Sequence, residues 1–265
     1  MHMPGDKAFY YVERAVTKEV RKEDLVLERV STGIPKLDEL LQGGLPKRSV
    51  TLVSGPPGSG KSIFCFHFIN AGIKNGEKCL YISVDQNVKN LLIHANAVGF
   101  DFVSAIEKGL LRMTHIDLEK SGAYYEMGDL VLTGDYSRIV LDSLSPFIDT
   151  PLVLGQSVEF EKVPVIEKLS TYPSDSRPVI RYHIRKIFEF LQSSSATSLV
   201  TSELTDSSGS LSRDSISEFL ADGVILMQID PMMDRRKLTI WKMRGTKHSL
   251  KPIDIVITDR GIEIK

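Results

Sequence analysis

Gly55-Pro-Pro-Gly-Ser-Gly-Lys-Ser62 constrains this chain more than any other stretch, because it fits the phosphate-binding loop pattern G-x-x-x-x-G-K-[ST] in the context such a loop needs. Ser49-Val-Thr-Leu-Val-Ser54 before it reads as a buried strand. Lys61 to Ile73 after it reads as a helix carrying Ile63, Phe64, Phe66, Phe68 and Ile69. The glycines let backbone N–H groups close around a phosphate, and the start of the following helix adds its positive dipole end. Lys61 would reach the outer phosphate oxygens, and Ser62 would offer a hydroxyl to Mg²⁺. The predicted phosphate-binding set is Gly55, Pro56, Pro57, Gly58, Ser59, Gly60, Lys61, Ser62 and Ile63. Such a loop touches phosphates only, so it does not separate ATP from GTP.

A chain of 265 residues is long enough for one large α/β domain with a well-buried core. Its 33 basic and 34 acidic residues give a net charge of −1, so no global field draws it to nucleic acid or membrane. Any such binding must be local. Cys65 and Cys79 lack metal-ligand spacing and read as buried thiols of a reduced compartment. No apolar run approaches the roughly 18 residues of a membrane span, and the start Met1-His-Met-Pro-Gly-Asp lacks an apolar signal core. A cytoplasmic protein is the expectation.

Residues 1–30 read as an N-terminal arm or strand with evenly mixed charge around Ala8-Phe-Tyr-Tyr-Val12, either packed locally or reaching a neighbouring subunit. Residues 31–265 read as one domain. Ser31-Thr-Gly-Ile-Pro35 opens a short helix, Lys36 to Leu41, that stops at Gly43-Gly44. Lys78 to Val84 is a second core strand, Val88 to Val98 a helix, and Gly109 to Thr114 a third strand. Strands alternating with helices at this spacing predict an α/β fold with a mostly parallel, twisted, helix-covered sheet.

Arg138-Ile-Val-Leu-Asp142 is an apolar strand ending in an acid, and at the carboxyl end of a strand beside the phosphate loop Asp142 could hold a water of Mg²⁺. Residues 149–178 carry four prolines and little periodicity, and read as an insertion. A helix from Val179 to Leu191 and a strand from Ala196 to Thr201 follow, then the polar loop Thr205 to Arg213. From Gly223 to Lys265 the chain is β-rich and predicts a C-terminal antiparallel extension. Seven Lys or Arg and no acid stand between Arg235 and Lys251, a local excess that could face phosphate.

Taken together, Ser31-Thr-Gly-Ile-Pro-Lys-Leu-Asp-Glu-Leu-Leu-Gln-Gly-Gly-Leu-Pro46, the phosphate loop, Glu218-Phe-Leu-Ala-Asp-Gly-Val-Ile225 with Arg213, and Trp241-Lys-Met-Arg-Gly-Thr-Lys-His-Ser249 resemble the KaiC-like branch of the RecA superfamily, especially single-domain archaeal RadA paralogues. The resemblance implies a RecA-like fold binding ATP and Mg²⁺ between subunits of a hexamer or similar ring. Lys242 and Arg244 match the pair that approaches the neighbour's γ-phosphate, where two cations can offset developing charge. Ser202-Glu203 matches the position of a polar γ-phosphate sensor, with Ser202 taken as the nucleotide contact. The family's Glu-Glu after the second core strand is replaced by Asp85-Gln86. Asp85 is then either a water-orienting base of shorter reach or a strand-end cap, and hydrolysis should be slow, since a displacement of about 1 Å can cost on the order of 10²-fold.

The RadA likeness and the basic tail imply an accessory ATPase of recombination or repair that binds single-stranded DNA and works with a main recombinase. Trp241 would be a stacking surface for bases only if it left the core, and a core strand position is the simpler expectation. The alternative is a signalling scaffold or autokinase switched by ATP, with acceptors in the Ser/Thr-rich stretch Ser193 to Ser217.

Overall fold

The computed structural model describes residues 26–118, 120, 123–149, 177–204 and 210–265. Most of the predicted arm and nearly all of the 149–178 insertion lie outside them. In chain order the elements are β1 (Arg29–Val30), α1 (Pro35–Leu40), β2 (Leu45–Pro46), β3 (Val50–Gly55), α2 (Lys61–Lys74), β4 (Cys79–Ser83), α3 (Val88–Ala97), α4 (Phe102–Glu107), β5 (Leu111–His115), α5 (Ala123–Thr133), β6 (Arg138–Asp142), α6 (Pro146–Asp149), α7 (Arg177–Ser193), β7 (Thr197–Glu203), α8 (Ser217–Leu220), β8 (Gly223–Asp230), β9 (Arg235–Met243), β10 (Ile253–Thr258) and β11 (Gly261–Ile264).

Nine strands form one sheet in the order β11-β10-β9-β8-β3-β7-β6-β4-β5, and β1 pairs with β2 apart from it. The six strands from β8 to β5 run parallel, while β9, β10 and β11 alternate direction as the predicted antiparallel extension. Successive side chains of a strand point to opposite faces. Val53, Tyr81, Val140 and Leu199 accordingly enter one core with Phe64, Phe68 and Leu91, and Leu52, Ile82, Leu141 and Val200 enter another with Met127, Ile184 and Phe188. A parallel sheet covered on both faces explains why these strands read as unbroken apolar runs.

Polar ties fix how the layers meet. Asp38 accepts from Ser31 Oγ at 2.5 Å and from Thr32 N and Oγ1 at 2.7 Å, which accounts for the spacing of the Ser31-Thr-Gly block and its acid. Arg138 is fully buried at the start of β6. Its guanidinium donates to Glu77 Oε2 at 2.5 Å and to the Ser31 and Phe68 carbonyls at 2.7 and 2.9 Å, and lies 4.7 Å from the Phe68 ring centre. Burial opposes the charge of Glu77, yet the Arg138 contact holds its pKa below the usual carboxylate value.

His67, on α2, joins the other end of the chain to this core. Its Nε2 accepts from the Ile262 N–H at 2.8 Å, so Nδ1 carries the proton it gives to the Gly33 carbonyl at 3.2 Å. Gly261 must be a glycine here: its φ is +86°, and a Cβ would come within 2.3 Å of His67 Nε2.

Burial lowers the pKa of His67 to about 4, and that of His183 to about 4 as well. Both rings are therefore neutral when folded at pH values where the unfolded chain, with its ordinary pKa near 6.5, takes up protons. The stability this contributes is complete above about pH 6.5 and is lost as pH falls toward 4. His67 alone supplies up to about 3 kcal/mol. Urea unfolding followed at pH 7.5, 6, 5 and 4.5 should show a falling midpoint, and a midpoint flat down to pH 4.5 would contradict the buried neutral rings.

Candidate active site

The phosphate loop follows β3 at the carboxyl edge of the parallel strands, where ligands of such sheets bind. Gly58 and Gly60 have φ of +78° and +104°, turning successive N–H groups inward before α2 begins at Lys61. Lys61 is buried and donates from Nζ to the carbonyls of Gly55 and Pro56 at 2.9 and 3.1 Å. Burial lowers its pKa, and the charges of Glu203, Asp142 and Asp85 act in the opposite direction. An anionic ligand would add to that support.

Asp142 gathers hydroxyl groups from three elements. Ser62 Oγ and Tyr81 OH donate to its Oδ2 at 2.8 and 2.5 Å, and Thr201 Oγ1 donates to Oδ1 at 2.5 Å. Burial, with the neighbouring carboxylate, raises the pKa of Tyr81 well above its ordinary value, so the phenol stays a donor. Asp85 accepts from Ser143 Oγ at 2.7 Å, and burial raises its pKa.

Together these residues line a cleft of about 560 Å³ with the loop residues Pro57, Gly58, Gly60, Lys61, Ser62 and Ile63 on one side and Ser83, Asp85, Gln86, Asp142, Ser143 and Glu203 on the other. Ile257 of β10 also lines it. The Ser62 hydroxyl and the Asp142 carboxylate are hard oxygen donors side by side, which suits Mg²⁺ with part of its water shell kept. A bound Mg²⁺ would supply a positive charge between phosphate oxygens. Lys61 and the loop amides would hold the phosphates, and Asp142 orients the Ser62 hydroxyl.

The predicted residues divide cleanly. Lys61, Ser62, Asp85 and Asp142 come together in the cleft. Ser202 does not: it is fully buried, and its Oγ accepts the Arg213 N–H at 3.2 Å, so Glu203 stands at the cleft in its place. Lys242 and Arg244 lie at the other edge of the sheet, because Met243 is level with Gly223, and Gly223 with Thr51 at the beginning of β3. Lys242 Nζ donates to the carbonyls of Glu218 and Ala221 at 3.0 and 2.6 Å, and burial lowers its pKa; Arg244 pairs with Asp222 at 2.9 Å.

The basic tail is not one patch. Arg235, Arg236 and Lys237 open β9 at the loop edge, where Arg236 Nε donates to Gly58 O at 3.1 Å, whereas Lys242 stands near its other end, with Arg244 and Lys247 following in the chain. Trp241, expected in the core, is 47% exposed, since a β-bulge between Val224 and Ile225 leaves it without a register partner. Tyr81, Thr201 and Ser143 were not anticipated, while of the expected pair Ser202-Glu203 it is Glu203 that lines the cleft. A polar residue inside an apolar strand, such as Tyr81 in Cys79-Leu-Tyr-Ile-Ser83, was the signal available.

Comparison with known proteins agrees with this fold. The family model described as "ATPase: KaiC" matches residues 30–265. A UPF0273 protein of Pyrococcus furiosus is 30% identical over 241 residues, covering 89% of this chain and 94% of that protein. The circadian clock oscillator protein KaiC of a Picosynechococcus strain is 26% identical over 90% of this chain, which spans only 44% of that protein. The crystal structure of a KaiC-like protein from Pyrococcus horikoshii superposes with a TM-score of 0.72 at 26% identity, covering 91% of this chain and 100% of that one.

Saturating Mg·ATP should raise the Tm of the protein by roughly 5–10 °C, from the usual linkage and size scaling. Lys61→Ala should abolish that rise. An undiminished rise in the variant would place the nucleotide elsewhere.

Proposed function

The chain belongs to the KaiC-type ATPase family and has its RecA-like fold, and from that premise we propose that it binds Mg·ATP in the cleft beside Lys61, hydrolyses it slowly, and assembles through that site. The observation that carries this reading is the convergence of Lys61, Ser62 and Asp142, with Asp85 and Glu203 facing them, on one cleft at the end of β3. Lys61 and the loop amides bind the β- and γ-phosphates. Asp142, held by Tyr81 and Thr201, keeps the Ser62 hydroxyl in place for Mg²⁺.

Self-association follows from where Lys242 and Arg244 lie. Thr51 and Gly55 are separated by roughly 13 Å along β3, at about 3.3 Å per residue, so a pair level with the start of that strand does not serve the cleft of its own subunit. A neighbour's cleft is the site it can serve, in a ring whose subunits meet at the nucleotide. Each Arg244 then supplies charge to the adjoining γ-phosphate in the manner of an arginine finger, worth about 10³ to 10⁵ in rate.

Single-stranded DNA binding in recombination or repair is the second reading, favoured by one observation. Trp241 is exposed on a strand that continues into Lys242, Arg244 and Lys247, an aromatic surface beside cations of the kind that stacks bases and contacts phosphates. Fluorescence anisotropy of a labelled oligonucleotide at low and physiological salt tests it. Salt-dependent binding weakened by Trp241→Ala supports a nucleic-acid partner, and no binding at low salt removes that reading in favour of an assembly switched by ATP.

Arg244→Ala should keep the Mg·ATP-induced rise in Tm while losing about 10³-fold or more in steady-state phosphate release. Mixing it with Lys61→Ala should recover part of the activity, because an intact loop in one variant meets an intact Arg244 in the other. No recovery, with both proteins still assembling, would contradict the trans role.

A further inference from the structure

Resting on the hydrolysis reading above, we propose that Glu203 is the carboxylate that orients and deprotonates the attacking water, the task that the resemblance gives to position 85. Sheet order supplies the first argument. β7 is hydrogen-bonded between β3 and β6, and Glu203 is the register partner of Gly55, the first residue of the phosphate loop. With strands about 4.8 Å apart, the backbone of Glu203 lies one strand from that loop, while Asp85 reaches the same cleft from the end of β4, three strands over. Asp85 also has one methylene less.

Electrostatics points the same way. Among the charges that support the Lys61 ammonium, that of Glu203 is the largest, ahead of Asp142 and Asp85. Asp85 lines the cleft with its Oδ2 accepting from Ser143 Oγ.

The backbone of Glu203 is fixed while its side chain stays accessible. Its N–H donates to Ser145 Oγ at 2.9 Å, and the next N–H, of Leu204, donates to Gly55 O at 3.1 Å. These bonds clamp the strand end to both the β6 exit and the phosphate loop. The carboxylate is 42% exposed, lines the cleft, and has Oε2 3.8 Å from Arg213 Nη1. Asp142 already accepts from Ser62, Tyr81 and Thr201.

In the step itself, Glu203 accepts a proton from water as the water oxygen bonds to the terminal phosphorus. The bond from that phosphorus to the bridging oxygen breaks, the bridging oxygen keeps the electron pair, and ADP and phosphate leave. No oxidant or further reactant is involved.

Glu203→Gln, Glu203→Asp and Asp85→Asn variants test this, with phosphate release measured alongside Mg·ATP affinity by calorimetry and the Tm without nucleotide. Glu203→Gln should lower kcat by about 10²-fold or more, in the range of a lost general base, with affinity for Mg·ATP equal to or tighter than wild type. Glu203→Asp should recover part of that rate, and Asp85→Asn should lose less than Glu203→Gln. Turnover in Glu203→Gln within about 3-fold of wild type would overturn the assignment alone, as would loss of nucleotide affinity, which would make Glu203 a binding residue. A wild-type protein that binds Mg·ATP without turnover would instead overturn the hydrolysis reading and this assignment with it.

Discussion

The carboxylate of Asp142 is the contact on which the site depends. Three hydroxyls converge on it from α2, β4 and β7, so one side chain fixes the phosphate-loop helix against the two strands that flank β6. Hydrogen bonds to an ionised acceptor are roughly twice as strong as neutral ones, and in a buried setting each is costly to leave unmade. The same carboxylate therefore ties the core together and orients the Ser62 hydroxyl at the cleft. Removing it would leave Tyr81, buried with its phenol protonated, without its acceptor.

Around that point the chain sorts its chemistry by sheet edge. The carboxyl edge holds the phosphate loop, Asp142, Asp85 and Glu203, and the opposite edge holds Lys242 and Arg244. That separation is what the proposed completion of each cleft by a neighbouring copy requires. Within the subunit, His67 and Arg138 tie the phosphate-loop helix to the C-terminal hairpin and to the Ser31-Thr-Gly block, two parts of the chain that are far from it in sequence.

Much of this was legible in the sequence because the signals are local. The strand from Arg138 to Asp142 and the hairpin strand from Gly261 to Ile264 stand at the predicted residues, and the phosphate-loop helix ends one residue later than expected. Strand-end acids are readable when a strand is an unbroken apolar run. What escaped depends on contacts between distant residues. Helix α5 holds Gly128, which discourages helix locally, but that glycine lets the Phe190 ring of α7 approach to where a Cβ would be 3.2 Å away. Trp241 left the core because of a bulge, which no pattern of apolar residues announces. Ser202 and Glu203 are adjacent, and only the exact end of β7 decides which of them meets the cleft.

Hydrogen–deuterium exchange with and without a non-hydrolysable Mg·ATP analogue tests the central claim most directly. Nucleotide seated at Asp142 and Lys61 and shared between subunits should protect residues 55–63 and 138–145, together with 242–248 at the far edge of the sheet. Protection of 242–248 that disappears on dilution to monomer, while 55–63 stays protected, would match a site completed by a neighbour. Unchanged exchange across 55–63 at saturating nucleotide would contradict the account.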